Sequence, residues 1–224
     1  MKKITYFFAT ILIFLSSCAA FHPQPVDIPL IRERGDLRMD GGIFIVPPNN
    51  NSNYFGAGGG HLTISYGITD ILAVQVYASR TEWMSFQFAP GFFKSFENNT
   101  VIEFYSGYGA GGGQWGYQGF WSSYEYAFAQ FNIGRIGTRL DYGVGLKSGY
   151  TFSYIDFANE WRRIFPHRSG WTIEPTAMIR FGGERVKFST RINYLWTRTI
   201  DQEYYFPWSF SIGMNINLNT LRLF

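Results

Sequence analysis

From Phe206 to Leu218 every second side chain is apolar: Phe206, Trp208, Phe210, Ile212, Met214, Ile216 and Leu218 alternate with Pro207, Ser209, Ser211, Gly213, Asn215 and Asn217. Successive side chains of a strand point to opposite faces, so this stretch presents one wholly apolar face and one that is polar or small. The same period of two governs Val186 to Trp196, where Val186, Phe188, Ile192, Tyr194 and Trp196 oppose Lys187, Ser189, Arg191 and Asn193. It governs Leu140 to Tyr154 as well, with Leu140, Tyr142, Val144, Leu146, Tyr150, Phe152 and Tyr154 opposite Asp141, Gly143, Gly145 and Lys147. A helix needs a period near 3.6, which none of these has.

Strands of this kind are expected at about 36–46, 57–68, 71–80, 84–96, 101–114, 121–135, 140–155, 171–182, 186–197 and 206–218. Their connections alternate in character. "TD", "ENNT", "IGTR" and "GGER" are short turns; "PPNNNSNYF", "RTEW", "GYQGFW", "DFANEWRRIFPHRSG" and "RTIDQEYY" are mostly longer and richer in charged or aromatic residues. Short turns on one side and longer loops on the other, joining strands of about ten residues, predict an all-β fold: a closed antiparallel transmembrane β-barrel. The count is about ten, with eight and twelve as the neighbouring even numbers. An even count brings both ends of the barrel to one side.

A soluble β-sandwich or lipocalin-like barrel also alternates, but encloses its apolar face. The polar face here carries Arg38, Asp40, Glu103, Glu125, Asp141, Lys147, Glu174, Arg180, Lys187 and Arg191, five of each sign. Aromatic residues make up 20% of the chain, and a water-exposed surface of that kind would be adhesive. A lipid-facing belt with interfacial aromatics accounts for them better, while a sandwich hiding both apolar faces against each other stays open. Inside a barrel of this size the ten charges are expected to pair, because an unpaired ion removed from water costs several kcal/mol.

The N-terminus begins with Lys2 and Lys3 and continues with an apolar run from Ile4 to Leu15. That is the length of a signal peptide and well short of the ~20 residues of a spanning helix. "LSSC" closes the run on Cys18, the only cysteine of the chain, so disulfides and cysteine metal sites are excluded. The stretch resembles the lipobox of bacterial lipoproteins, which implies cleavage before Cys18 and acylation of its thiol and new amino group. Each buried methylene contributes ~0.8 kcal/mol, so several acyl chains make a durable anchor. The organisation expected is a signal peptide at 1–17, a lipidated linker at 18–35 and a barrel at 36–224.

The end of the last strand, Gly213-x-x-Ile216-x-Leu218, is similar to the β-signal through which outer-membrane barrels meet their assembly machinery, and the chain ends on Phe224. A tail, "NTLRLF", follows the match. Taken with the lipobox and the hairpins that fill the rest of the chain, the whole mature sequence resembles small outer-membrane β-barrel lipoproteins of the Bacteroidota type. The resemblance implies location and fold far more than activity.

Candidate chemistry is sparse. "GYGAGG" (Gly107 to Gly112) matches a dinucleotide fingerprint, but such a site needs a helix next, and "GGGQWGYQGF" offers none. The glycines read instead as room for a bending wall or for bulky lumen side chains. His22, His61 and His167 have no short spacing, so no metal site is expected. His61 and His167 lie toward the outer rim, where a lipid-active enzyme would keep its histidine, yet nothing specifies a nucleophile. Trp161, Arg162, Arg163, Phe165 and Arg168 form a basic and aromatic loop suited to outer-rim lipid contacts, including lipopolysaccharide phosphates.

Nineteen basic and 16 acidic side chains, two of the basic ones in the leader, leave no excess that would suit nucleic acid. The reading is a lipid-anchored outer-membrane barrel with a non-catalytic structural or interaction role, its lumen largely plugged by paired charges, both barrel termini periplasmic, and no cofactor. Its expected partners are outer-membrane lipids, the assembly machinery and other envelope proteins. A narrow channel for small solutes and a rim-located lipid-modifying enzyme are the alternatives.

Overall fold

The computed structural model describes residues 25–47, 57–80, 84–115, 120–156, 168–197 and 207–220. The strands are β1 (Leu37–Val46), β2 (Ala57–Gly67), β3 (Leu72–Arg80), β4 (Met84–Ser95), β5 (Thr100–Trp115), β6 (Phe120–Arg135), β7 (Leu140–Asp156), β8 (Arg168–Gly182), β9 (Val186–Tyr194, resuming at Trp196–Thr197) and β10 (Trp208–Asn217). The two pieces of β9 keep one register against β8, with Asn193 opposite Thr176 and Trp196 opposite Ile173. Tyr194 and Leu195 interrupt the ladder to β8, and the Leu195 amide donates instead to the carbonyl of Pro207 at 2.7 Å.

Each strand pairs with the next, and β1 also pairs with β10, so the sheet is a closed antiparallel barrel of ten strands without an edge. The strand starts and ends agree with the alternation to within a few residues. Period-two patterning bounded by short turns leaves little freedom in register, since a slip of one residue would exchange the two faces. Asn99 closes the β4–β5 turn at φ 62°, a left-handed conformation that asparagine tolerates.

The apolar face points outward. Ile43, Met84 and Ile212 are 64%, 65% and 63% exposed, whereas Arg180, Glu103 and Arg191 are at 0%, 0% and 1%. A soluble sandwich would have these numbers reversed. The outer surface is a belt of Leu, Ile, Val, Phe, Tyr and Trp, and the fold is that of a transmembrane barrel.

Two opposed glycine pairs crease the wall. A Cβ on Gly42 would stand 2.3 Å from the carbonyl oxygen of Ile212 and 2.6 Å from Cα of Gly213, its partner across β1 and β10. Gly134 and Gly143 repeat this between β6 and β7, where a Cβ on Gly134 would stand 2.7 Å from the carbonyl oxygen of Tyr142. At Gly42, Gly213 and Gly134 the opposing backbone comes too close for any side chain.

The N-terminal segment adds a feature that the alternation does not predict. Residues 25–31, expected as part of a linker, are buried inside the barrel, and Val26, Ile28, Leu30 and Ile31 are at most 2% exposed. Arg32, Glu33 and Arg34 return to solvent, and Asp36 leads into β1. Gly35 makes that exit at φ 80°, and its amide reaches the carbonyl of Gly67 at 2.7 Å. The physical reason lies in "VDIPLI": four aliphatic side chains in six positions stabilise burial by about 1.5–3 kcal/mol each, which a solvated linker would forgo.

Candidate functional site: the filled lumen

The lumen is built by inward positions of all ten strands and by residues 25–31 laid among them. Ile28 and Leu30 join Val101, Ile136 and Met178 in one apolar cluster. Ile31 joins a second with Phe93, Tyr105, Tyr124, Tyr126 and Phe128. Small wall residues make the space. A Cβ on Gly145 would stand 3.3 Å from Ile28, and one on Gly134 would stand 2.7 Å from Leu30. Leu30 takes φ 59°, rare for leucine, a strain of order 1–3 kcal/mol that its complete burial offsets.

The plug is tied down by polar contacts along its length. The Val26 amide faces Asn193 Oδ1 at 3.4 Å, Gln130 Nε2 donates to the Asp27 carbonyl at 2.6 Å, and the Ile31 amide donates to Glu103 Oε1 at 2.7 Å. Arg180 Nη2 and Arg191 Nη2 reach the same oxygen, Oδ1 of Asp27, at 3.1 Å and 2.8 Å. Asp40 shares the same two nitrogens, 3.3 Å from Arg180 Nη2 and in direct contact with Arg191 Nη2. His61 completes the cluster, its Nε2 2.9 Å from Arg191 Nη1 and 3.6 Å from Asp40.

Of the ten charges read from the sequence as a lumen network, nine point inward. Arg38, Asp40, Glu103, Asp141, Lys147, Glu174, Arg180, Lys187 and Arg191 are buried. Glu125 is a correction: it is exposed, opposite Ala110 and Phe152 on the outer face. The inward parity of β6 is fixed by Gln130 and Asn132, which places Tyr124, Tyr126 and Phe128 inside and Glu125 outside. Inward aromatics made that strand's polar face hard to identify from composition.

The pairing is also only partly as expected. Lys187 Nζ meets Asp141 at 2.5 Å, and Asp40 meets the two arginines. Arg38 pairs with Asp36, just outside β1, at 3.2 Å. Glu103 has no cationic partner among the described residues; it accepts from Ile31, from Asn132 Nδ2 at 3.0 Å and from the Tyr105 hydroxyl at 3.3 Å. Lys147 stands opposite Glu174 in register, donates to Gln87 at 2.7 Å and Tyr126 at 2.9 Å, and sits over the Phe128 ring at 4.2 Å. The residues missed are two carboxylates, Asp27 on the plug and Asp36 at the entry to β1.

Cys18, His22, Trp161, Arg162, Arg163, Phe165 and His167 lie outside the described residues, and Arg168 is described only as the first residue of β8. Ser79, opposite His61 in register, shares a hydrogen bond with Ser85 at 2.7 Å, so no serine–histidine pair forms there. Gly107 to Gly112 lie inside β5, where a Cβ on Gly109 or Gly111 would strike the ring of Tyr126 or Tyr124. Among the described residues no three His, Asp or Glu side chains are grouped to hold a metal, and no helix is long and apolar enough to cross a membrane.

The chain is thus a closed ten-stranded β-barrel of the transmembrane kind, apolar outside and filled inside. No family model matches the sequence, and no curated protein does. Several solved structures are similar to it in fold. They include the outer membrane protein OprG from Pseudomonas aeruginosa (14% identity, TM-score 0.43, 85% of this chain and 98% of that one). The KdgM porin (10%, 0.39, 80% and 98%) and Ail, the attachment invasion locus protein of Yersinia pestis (11%, 0.34, 82% and 98%), are others.

Proposed function

We propose that this protein is a lipid-anchored outer-membrane barrel, closed by its own N-terminal segment, with a structural or interaction role in the cell envelope. The observation that carries the reading is residues 25–31, buried in the lumen and held by Arg180, Arg191, Gln130 and Glu103. A barrel of this size is narrow before anything enters it, and a segment threaded through it removes the open path a porin needs. Leu37 and Asn217 stand at the end with the short turns, which supports a periplasmic position for both ends of the barrel. Lipid attachment at Cys18 follows from "LSSC". A non-catalytic role fits a buried His61 whose Nε2 already faces Arg191 and Asp40.

The test is conductance in planar bilayers. Purified full-length protein should give no steady single-channel current, whereas a constant ohmic step would favour the narrow channel instead.

A further inference from the structure

Two buried guanidiniums share one oxygen of Asp27, at 3.1 Å and 2.8 Å, and that oxygen also accepts the amide of Ile28 at 2.9 Å. We propose that Arg180 and Arg191 form a carboxylate-binding site within the barrel, of which Asp27 is the resident intramolecular ligand, and that the site takes a small monocarboxylate when Asp27 is withdrawn.

Charge sets the class. The two arginines bring two positive charges, and Asp40, fixed in β1 beside both, supplies one negative charge from the wall. Asp27 is the second, and it comes from the segment rather than the barrel. Removing it leaves one net positive charge in a site closed to water, where a monoanion restores neutrality and a dianion overshoots it.

Geometry sets the shape. Guanidinium forks bind planar carboxylates through paired donors. Both Arg180 Nε and Arg191 Nε are buried without an acceptor among the described residues, so donors remain for a ligand that reaches deeper than the aspartate does. His61 meets the Arg191 fork at Nη1, 2.9 Å away, while Asp40 contacts Nη2, the nitrogen that also faces Asp27. Ile28 and Leu30 of the plug pack with Met178, two residues from Arg180 on the inward face of β8, which favours a short aliphatic or single-ring acid over a sugar.

The inference rests on the plugged-barrel reading, and the two fail differently: an open current from the wild type would end that reading, whereas the present proposal is tested on stability. Full-length Asp27→Ala protein is refolded in detergent, and the midpoint of thermal loss of its folded gel band is followed in chloride, sulfate, formate and acetate at equal ionic strength. Formate and acetate should raise the variant's midpoint by several degrees in a saturable way, as binding to the folded state alone requires. Wild type, whose site is filled, should not respond. Nor should Asp27→Ala combined with Arg191→Met.

Equal responses to chloride, sulfate and formate, or an equal response of wild type, overturn the proposal. If Asp27→Ala does not refold in chloride, refolded yield becomes the readout. Recovery in formate then supports the site, and failure in both buffers while wild type refolds in both overturns it.

Discussion

Arg180 and Asp27 meet at 3.1 Å across 153 residues of sequence, joining strand β8 to a segment that precedes the first strand. Around this contact the barrel is an inverted protein: paired ions inside, aliphatic and aromatic side chains outside. Its interior becomes core-like where the segment's Ile28, Leu30 and Ile31 join inward apolar residues of the strands.

Trp196 and Trp208 stand on the outer face, 42% and 38% exposed. In single-tryptophan variants reconstituted into vesicles, brominated acyl chains should quench both strongly. Folded, reconstituted protein with both rings unquenched would mean that the apolar face does not meet lipid.

Ile192 faces outward in β9 and Asn215 inward in β10. Ile192→Arg puts an ion into hydrocarbon and should destabilise the barrel by about 2–4 kcal/mol at mid-membrane depth, less near an interface. Asn215→Arg enters a lumen already holding both signs and should cost less, apart from crowding. Urea unfolding in vesicles measures the difference; equal losses would count against the assigned faces.

The seam between β1 and β10 should reject even a methyl group. Gly42→Ala places Cβ against the backbone of Ile212 and should cost about 1–3 kcal/mol, read as a lowered unfolding midpoint. Gly58→Ala, whose nearest neighbour would be 3.7 Å away, should be close to neutral. The same experiment on both variants separates backbone crowding from a general intolerance of glycine replacement.

Cys18→Ala should abolish incorporation of labelled palmitate into the protein. Retained label, or a mature N-terminus beyond residue 18, would remove the lipid anchor from the proposal.

The strands were legible because alternation is a local property, visible wherever the two faces differ in chemistry, as at Val186 to Trp196. Glu125 was misread where that difference fails: β6 turns Tyr124, Tyr126 and Phe128 inward, so hydropathy no longer marks the face. The plug was missed for another reason. Pro29 and the short length of "VDIPLI" give no strand or helix period, and what fixes the segment is contact with five distant strands. The signal available was density of aliphatic residues beside a lone aspartate, which reports burial but not where. Asp27 and Asp36 could be recognised as counterions only once the fold had brought them to Arg180, Arg191 and Arg38.

The order of these partners along the chain has a consequence for biogenesis. Asp27 leads the barrel and its two cations belong to β8 and β9, which are among the last strands synthesised. A half-built sheet therefore offers the aspartate no partner, and a completed sheet with an empty centre carries surplus positive charge beside Asp40. Neither species is electrostatically satisfied. The leading segment can therefore be neutralised in the lumen only after β8 and β9 are in place, so its seating belongs late in assembly although it is made first.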